Sequence, residues 1–458
     1  MLPSYHTKSM RYIQNERFLL LFGDIFVFYV ALWLTLTIRE FSIPSSEYWM
    51  QHSVPFSLLF LVSVLVYFIA GLYDQHTSLL RSKLPYMVAY SQFATVVLAG
   101  LFFLSVPYFG ITPKTILVIY LVASSILILF WRLGVVHLIG VRKKQSSLVL
   151  GEGSEISELV RELNTNDRYG IEIKHQFAPH EVDVSESLQE QILEFITSEN
   201  ITTIIVHSRD PDMKDISPVL YNLLFLHPSL TILDASVLYE EIFRRIPISM
   251  LEDTWFISHV TRQPFVYNIL HRLFDIVVSL VLGIATLIIL PFIVLAMKFD
   301  DGGPIFSFQK RVGKDNQPLN LIKFRTMTVA NDDGKWGDVE NKITRVGAFL
   351  RTTRIDELPQ LWNVLFGDYS LIGPRPEFSD AVYEYANAIP YYNARHLITP
   401  GLSGWAQLTP HHPHHGVDIE VTRNKLSYDL YYLKNRSIWL DLEIGLKTIK
   451  TLLSVAGK

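Results

Sequence analysis

Two adjacent carboxylates, Asp356 and Glu357, lie in a stretch of the chain that is rich in basic residues. The basic residues that come before and after the pair are Lys323, Arg325, Arg351, Arg354 and Arg375. Ionised carboxylates can attack phosphorus or hold a divalent cation, and guanidinium groups bind phosphate oxygens through paired hydrogen bonds. This combination indicates chemistry at a phosphate ester together with a metal ion. The alternative is that the pair only marks the start of a helix, where acidic side chains are favourable.

A short helix is predicted directly after the acid pair. It should begin at Pro359, because a proline at the first helical position lacks only an N–H group that has no helical partner there. Hydrophobic residues recur at helical spacing up to Leu365, and Gly367 is a natural C-terminal stop. The carboxylates would then lie beside the positive end of the helix dipole, which favours their ionised form.

Two strand-like segments before the acid pair predict a hairpin. Phe308–Gly313 and Leu319–Met327 both alternate apolar and polar residues. Lys323 and Arg325 fall on the same face of the second strand, because side chains alternate with a period of two. Two cations on one face suit a pyrophosphate, and a solvated strand face is the alternative.

Two further basic segments lie close to the pair in sequence. Thr344–Arg354 is amphipathic and basic, which is typical of a helix lying on an anionic surface. Arg375 stands between Pro374 and Pro376, so the backbone is restricted and could direct one guanidinium group at a phosphate. The alternative for Arg375 is a rigid exposed turn.

The first third of the chain predicts a membrane domain. Hydrophobic residues make up 49% of the 458 residues and charged residues only 18%. Four apolar stretches approach or exceed the roughly 20 residues that a helix needs to cross a bilayer. They are Phe18–Ile38, Val54–Leu72, Tyr86–Val106 and Thr115–Ile139. We expect a four-helix transmembrane bundle; four buried helices of a soluble protein are the alternative, and those would show polar faces.

Basic residues predict the orientation of these helices. Arg11 and Arg17 precede the first stretch, Arg39 is the only basic residue of the first loop, and Arg142 and Lys143 follow the fourth stretch. Loops rich in lysine and arginine remain on the cytoplasmic side. The N-terminus and everything after residue 140 should therefore be cytoplasmic.

The next segment predicts a parallel α/β sheet with a Rossmann-like arrangement, because strand-like and helical runs alternate. The strand-like runs are Ser146–Leu150, Ile171–Gln176, Ile201–His207 and Leu230–Leu233. A dinucleotide fingerprint is incomplete, since Ile156 stands in place of the third glycine and no acidic residue closes the second strand. We expect a structural or regulatory domain, with nucleotide binding as the alternative.

A fifth apolar segment, Ile276–Met297, precedes the acid pair. Basic residues flank it on both sides, which places both ends in the cytoplasm. Pro291 removes a backbone hydrogen bond, so we expect a break there and a helix that returns to the face it entered. A spanning helix is the alternative.

Composition excludes several other kinds of site. The net charge of −4 gives no global basic field, so no nucleic-acid partner is expected. The chain contains no cysteine, which excludes disulfides and thiolate metal sites. His411–His415 could suggest a metal site, but a flexible exposed loop is the preferred interpretation.

The order of four motifs resembles the polyprenyl-phosphate hexose-1-phosphate transferases, in their long bacterial form. The motifs are Lys323-Phe-Arg-Thr-Met327, Arg354-Ile-Asp-Glu-Leu-Pro-Gln-Leu361, Gly373-Pro-Arg-Pro-Glu377 and Pro400-Gly-Leu-Ser-Gly-Trp-Ala-Gln407. The resemblance implies transfer of a sugar 1-phosphate from a UDP-sugar to undecaprenyl phosphate, with release of UMP. It also implies a place in the bacterial inner membrane, an early step of exopolysaccharide, capsule or O-antigen synthesis, and a homodimer as a family-level expectation.

The resemblance also implies roles for individual residues. Asp356 corresponds to the nucleophile, which forms a covalent phospho-sugar intermediate, and Glu357 to a ligand of Mg²⁺. Lys323 and Arg375 would neutralise the diphosphate. Asp429 corresponds to a further acid of the site, and Pro291 to the break in a re-entrant membrane helix. A membrane nucleotide-sugar dehydratase and a non-catalytic scaffold are the alternatives; the dehydratase would need a Tyr-x-x-x-Lys pair, which the sequence lacks.

These inferences predict a membrane α protein combined with α/β domains. Residues 1–144 should form the transmembrane domain, 145–250 the Rossmann-like cytoplasmic domain and 251–265 a connector. Residues 266–458 should form a monotopic catalytic domain with the re-entrant helix at 271–299. Lipid is therefore an expected partner beside the two substrates.

Overall fold

The chain divides into two compact units, which are described separately. One consists of residues 1–144 with 166–170, the other of residues 145–165 with 171–458. The computed structural model describes residues 10–73, 84–105, 114–140, 144–166, 169–178, 193–227, 230–259, 264–328, 342–408 and 418–453. The histidine-rich segment at 411–415, predicted to be an exposed loop, lies outside these residues.

The first unit contains four long apolar helices. They are α1 (Met10–Glu40), α2 (Ser46–Ala70), α3 (Leu84–Ser105) and α4 (Lys114–Gly140). Each is long and apolar enough to cross a membrane. They enclose one core of aromatic and aliphatic side chains, among them Phe28, Phe56, Phe60 and Tyr67. The predicted apolar helices are confirmed, and they are consistent with a membrane protein.

A charged pair lies inside this unit. Asp24 of α1 and Arg132 of α4 form an ion pair, and both side chains are buried. Tyr73 Oη donates to Asp24 at 2.7 Å, and Arg132 donates to the carbonyl oxygen of Leu72 at 2.7 Å. Charges at such positions require partners, because an apolar medium solvates them poorly. No pattern in the sequence predicts this pair.

The second unit begins with a four-stranded parallel sheet. Its strands are β1 (Gln145–Leu150), β2 (Ile171–Phe177), β3 (Thr203–Val206) and β4 (Thr231–Asp234), in the order β2-β1-β3-β4. Helix α5 (Ser154–Thr165) lies between β1 and β2 in the chain, and helix α6 (Met213–Leu226) lies between β3 and β4. Helix α5 buries Ile156, Leu159 and Leu163, which recur at helical spacing. The predicted alternation of strands and helices is present in the described residues.

Two short helices, α7 (Ala235–Phe243) and α8 (Asp253–His259), follow the sheet. The predicted connector at 251–265 therefore contains a helix. Trp255 of α8 is only 3% exposed and packs into the same core as Leu361 and Tyr369. This segment is part of the packed unit because its large side chain fills that core.

Helix α9 runs without interruption from Phe265 to Asp300. The predicted interruption of the helix at Pro291 is absent, because the helix continues through the proline, and the bend of a re-entrant helix stays a prediction. A proline removes a single backbone hydrogen bond, and a helix accommodates that loss by bending locally. Most apolar side chains of the middle of α9 are exposed, for example Val281, Ile284 and Ile288. The helix is also long and apolar enough to cross a membrane.

The elements that carry the acid pair follow α9. Strands β5 (Phe306–Val312) and β6 (Pro318–Phe324) form the predicted antiparallel hairpin. Helix α10 (Arg345–Thr352), a 3₁₀ helix (Ile355–Gln360) and helix α11 (Leu361–Phe366) come next. Gly367 ends α11 with a φ of 98°, as the sequence predicts for a glycine cap.

The remaining elements complete the core of the unit. Strands β7 (Ser370–Ile372) and β8 (Gly401–Ser403) pair in parallel. Helix α12 (Ser379–Ala388) and a 3₁₀ helix (Tyr392–Leu397) lie between these two strands in the chain. Helices α13 (Ile419–Asn435) and α14 (Ile438–Leu453) close the described chain.

Candidate active site

The acid pair lies inside a 3₁₀ helix instead of ahead of an α-helix. Arg354 adopts a left-handed conformation with a φ of 59°, and its carbonyl oxygen accepts a bond from the Glu357 N–H at 3.3 Å. Pro359 lies within this 3₁₀ helix, and the α-helix begins only at Leu361. The tighter turn directs both carboxylates inward, so that Asp356 is 8% exposed and Glu357 9% exposed.

Glu357 is held by two cations from different elements. Lys323 Nζ of β6 and Arg375 Nη2 each lie 2.9 Å from Glu357 Oε1. Burial alone would raise the pKa of Glu357, but Arg375 and Lys323 hold that pKa well below its usual range. Glu357 is therefore ionised throughout the physiological pH range.

Asp356 has a different environment from its neighbour. Its Oδ1 atom is buried and has no hydrogen-bond partner among the described residues. Burial and the charge of Glu357 raise the pKa of Asp356, while Lys323, Arg351 and Arg354 act in the opposite direction. A buried polar atom without a partner is unusual in native proteins, and a binding or catalytic role is one explanation for it.

Arg351 and Arg354 lie on the same side of the unit as Asp356. The Arg351 Nε atom donates to Thr326 Oγ1 at 2.9 Å, and the rest of this side chain is exposed. Arg354 is half-buried. Both guanidinium groups are close enough to lower the pKa of Asp356. The predicted cationic surroundings of the acid pair are thus formed by four side chains.

Arg325 does not belong to this group of cations. Its guanidinium group forms a bidentate ion pair with Asp301 and donates to the carbonyl oxygens of Pro304 at 2.7 Å and Met327 at 2.8 Å. Strand β6 ends at Phe324, so Arg325 does not continue the face that carries Lys323. The geometry therefore gives the predicted phosphate-binding role of Arg325 no support, because its donors hold the turn that follows α9.

Asp429 lies behind the site. It is 1% exposed and pairs with Arg395 at 2.8 Å. Burial raises the pKa of Asp429 to about 6, although Arg395 acts against this. Arg395 in turn donates to the carbonyl oxygen of Arg375 at 2.8 Å. Asp429 is thus linked to the site through the backbone of Arg375.

Pro291 lies within α9, where its side chain is exposed. Leu290 and Ile293 on either side of it pack in a cluster with Phe324 and Leu350. Phe324 directly follows Lys323 on β6, so this part of α9 supports the strand that carries Lys323.

Two residues that the sequence analysis missed position the site. Arg395 is one of them. Asn363 is the other: its side chain accepts from Ile322 N–H at 3.2 Å and donates to the Asn320 carbonyl oxygen at 2.8 Å, which fixes α11 to β6. No local pattern marks either residue, because each one contacts an element that is distant in sequence.

The described residues contain no group of three histidine, aspartate or glutamate side chains that could hold a metal ion. The donor set of the acid pair nevertheless fits Mg²⁺. Magnesium prefers carboxylate oxygens and retains several other oxygen ligands from water and substrate phosphates. The partnerless Oδ1 of Asp356 beside the Glu357 carboxylate supplies such oxygens.

Comparison with known proteins identifies the family. A family model described as bacterial sugar transferase matches residues 266–455. A UDP-glucose:undecaprenyl-phosphate glucose-1-phosphate transferase of Caulobacter vibrioides is 38% identical over 189 residues, which cover 40% of this chain and 69% of that protein. The chain belongs to the bacterial sugar transferase family. The acid pair, Lys323 and Arg375 all lie within the matched residues.

Two further relatives extend the comparison. A UDP-N-acetylgalactosamine-undecaprenyl-phosphate N-acetylgalactosaminephosphotransferase of Aeromonas hydrophila is 45% identical over 168 residues, covering 35% of this chain. An undecaprenyl-phosphate glucose phosphotransferase of Komagataeibacter xylinus is 30% identical over 325 residues, covering 66% of this chain. The match spans 38% of the first relative and 58% of the second.

Proposed function

We propose that this family member transfers a sugar 1-phosphate from a UDP-sugar to undecaprenyl phosphate. The products are undecaprenyl-diphosphate-sugar and UMP, an early step in the assembly of an exopolysaccharide, capsule or O-antigen. The observation that carries the proposal is the buried carboxylate of Asp356, whose Oδ1 has no hydrogen-bond partner among the described residues, beside the Lys323–Glu357–Arg375 cluster. The names of the relatives support the choice of both substrates.

Asp356 acts as the nucleophile in this proposal. Its carboxylate oxygen forms a bond to the β-phosphorus of the UDP-sugar, while the bond from that phosphorus to the bridging oxygen breaks and UMP leaves with the electron pair. An oxygen of the lipid phosphate then attacks the same phosphorus. The aspartyl–phosphorus bond breaks, which releases the lipid diphosphate sugar and restores the Asp356 carboxylate.

The surrounding cations bind and orient the diphosphate. Lys323 and Arg375 neutralise its charge, and Arg351 and Arg354 contribute from the side of α10. Glu357 holds Lys323 and Arg375 in place before substrate arrives, so the positive charges are preorganised. Glu357 would also hold Mg²⁺, which would supply further charge neutralisation at the phosphate oxygens.

The membrane arrangement in this proposal is a re-entrant α9. Both ends of the helix contact the same unit: Arg272 donates to the carbonyl oxygens of Val364 at 2.6 Å and Leu365 at 2.7 Å, and Met297 packs against Phe324. The exposed apolar middle of α9 would lie in the lipid, with its two ends on the cytoplasmic face of the inner membrane. A four-helix membrane bundle and a Rossmann-like domain complete the arrangement.

Release of UMP from a panel of UDP-sugars tests the proposal. The panel contains UDP-glucose, UDP-galactose, UDP-N-acetylglucosamine and UDP-N-acetylgalactosamine, each with and without undecaprenyl phosphate. We expect one donor to give continuous UMP release with the lipid and a single burst, up to one UMP per protein, without it. A donor labelled at the β-phosphorus should leave label on the protein during that burst.

Asp356→Asn should abolish UMP release, because it removes the proposed nucleophile. Asp368→Asn is the matched control, because Asp368 lies in the same segment but is exposed. The Asp368→Asn protein should release UMP as the native protein does. Absence of UMP release from every donor would contradict the transferase function. Release only when the lipid is present, with no protein-bound label, would contradict the covalent intermediate.

A further inference from the structure

The backbone around Arg375 is irregular, yet four consecutive carbonyl oxygens in it accept hydrogen bonds. Pro374 accepts from Gly401 N–H at 2.9 Å and Arg375 from Arg395 Nη2 at 2.8 Å. Pro376 accepts from Arg311 Nη1 at 3.5 Å and Glu377 from Val312 N–H at 3.0 Å. Such complete use of carbonyl acceptors outside regular structure fixes the path of the segment. Only one of these bonds reaches the carbonyl of Arg375 itself.

The donor of that bond, Arg395, is a buried cation with several partners. Its side chain is 3% exposed, and it donates to Tyr392 Oη at 2.7 Å as well as to Arg375. Asp429, 1% exposed, supplies the opposite charge at 2.8 Å. A buried guanidinium group is tolerated only when its charge and donors are satisfied. The three contacts together oppose rotation of the Arg395 side chain.

Arg311 also bonds to the backbone of this segment, but its contacts are weaker than those of Arg395. It is 8% exposed, its guanidinium carbon lies 3.3 Å from the centre of the Phe378 ring, and its Nε atom has no partner among the described residues. Its bond to the Pro376 carbonyl is long, and it donates to Gln309 Oε1 at 3.1 Å. Arg395 therefore makes the stronger and more direct contact with the Arg375 backbone.

We propose that Arg395, oriented by Asp429, is a positioning residue for Arg375. By fixing the Arg375 carbonyl oxygen, it directs the guanidinium group of Arg375 towards Glu357, where Nη2 lies 2.9 Å from Oε1. A long side chain on an irregular segment would otherwise sample several directions. The inference rests on the proposed function insofar as Arg375 binds the substrate diphosphate, and it gives the buried Asp429 a role that requires no contact with substrate.

Hydrogen exchange of the full-length protein in lipid nanodiscs tests the backbone part of the proposal without substrate. In Arg395→Met, the peptide that covers residues 371–378 should exchange at least about tenfold faster, because 1.4 kcal/mol of lost local stability corresponds to that factor. Arg395→Lys keeps a charge and a donor and should regain much of the protection. Arg423→Met is the control, since the ion pair of Arg423 with Glu420 is long, at 3.9 Å, and lies at the surface.

A double-mutant cycle on UMP release tests the link to Arg375. A misplacement of about 1 Å can cost about 100-fold in rate, so Arg395→Met should approach the loss seen in Arg375→Met. The double variant should lose no more than Arg375→Met alone, because Arg395 acts through Arg375. Arg395→Lys should recover activity in proportion to its recovered protection.

Three outcomes would overturn the proposal: unchanged exchange at 371–378 in Arg395→Met, losses that multiply in the double variant, or a fully active Arg395→Met. If the single variant does not fold, Arg395→Met with Asp429→Leu removes both buried charges and serves instead, with the same expected outcomes. If the native protein releases no UMP, the proposed function fails, while the exchange experiment still decides whether Arg395 holds the segment.

Discussion

The surroundings shift the pKa values of two neighbouring carboxylates, Asp356 and Glu357, in opposite directions. Glu357 accepts hydrogen bonds from Lys323 and Arg375, and its pKa falls; Asp356 is left without a partner at Oδ1, and burial raises its pKa. Divergent pKa values of adjacent acids commonly separate their chemical roles. Asp356 Oδ1 accepts no hydrogen bond from the described residues, so the geometry favours Asp356 over Glu357 for the covalent step. Spacing in the sequence could not separate the two.

Asp356→Asn should abolish UMP release and raise thermal stability. The pKa of Asp356 is higher in the folded protein than in the unfolded chain, so its contribution favours folding at low pH and is lost as the pH rises through the folded pKa. A neutral amide removes that penalty at neutral pH. Melting temperature and UMP release would be measured for Asp356→Asn and Asp368→Asn together. A lower melting temperature in Asp356→Asn alone would contradict the proposed penalty.

The acidic limb of the pH–rate profile should move when Glu357 is neutralised. Asp356 must be ionised to attack, and its raised pKa places the loss of activity above the ordinary aspartate value of about 3.9. Glu357→Gln removes the adjacent negative charge, so the pKa of Asp356 falls and the limb shifts to lower pH.

Single-turnover UMP release across the acidic range would measure this shift. The exposed Glu384→Gln serves as control and should leave the limb in place. A shift of the Glu357→Gln limb to higher pH would argue against Asp356 as the group that titrates.

At the scale of elements, the short strands β7 and β8 explain two glycines of the family motifs. A Cβ atom on Gly401 would lie 2.1 Å from the Gly373 nitrogen, and one on Gly373 would lie 2.5 Å from the Thr399 carbonyl oxygen. The two backbones cross too closely for any side chain. Arg375 lies two residues after Gly373, so this close approach of the two backbones positions the segment that contains Arg375.

Gly401→Ala should therefore separate β7 from β8 and displace Arg375. We expect a lower melting temperature and a loss of UMP release of at least about tenfold, since catalytic geometry tolerates only small displacements. Gly445→Ala is the control, because Gly445 lies in helix α14 with nothing within 4 Å of an added Cβ. That change should leave activity unaltered and slightly stabilise the helix. Equal activity in the two variants would contradict the argument.

The sequence predicted elements with strong periodicity and missed those fixed by tertiary contacts. The hairpin and the helix stop at Gly367 followed from alternation and from glycine chemistry. The 3₁₀ turn at the acid pair did not, because it depends on the left-handed Arg354 and on the pull of Lys323 and Arg375. The continuous α9 shows the converse case: Pro291 predicts a break, yet the surrounding helix persists.

Cysteine labelling should find both ends of α9 on one side of the membrane. The chain has no native cysteine, so Phe265→Cys and Lys310→Cys, both at exposed positions, give single reporters. We expect a membrane-impermeant maleimide to label both from the cytoplasmic face in oriented vesicles, because both ends of α9 pack against one unit. Exposed Phe41, between α1 and α2, should label from the opposite face when replaced by cysteine. Labelling of positions 265 and 310 from opposite faces would rule out the re-entrant arrangement.

At the scale of the whole molecule, the parallel sheet and the transferase elements form one compact unit. Arg245 joins α5 to α13, pairing with Glu158 and donating to Asn424. Arg244 forms a bidentate ion pair with Glu443 of α14, and its guanidinium carbon lies 4.4 Å from the centre of the Trp405 ring. The sequence predicted the order of these parts but not this junction, because the two arginines look like an ordinary basic pair.

Arg244→Met should loosen the junction and lower the stability of the unit. Glu443 is only 7% exposed and would lose its bidentate partner, but it keeps an ion pair with Lys447 at 3.2 Å. The loss should therefore be smaller than the roughly 3 kcal/mol that breaking a buried ion pair typically costs. The double variant with Glu443→Gln should recover part of the loss, because it also removes the buried negative charge that Arg244 had balanced. Arg423→Met removes an exposed pair and should change the melting temperature little. Trp405 contacts Arg244 and belongs to the turn that follows β8, so UMP release should fall together with stability. Full activity in a destabilised Arg244→Met would show that the sheet region supports the fold without influencing the site.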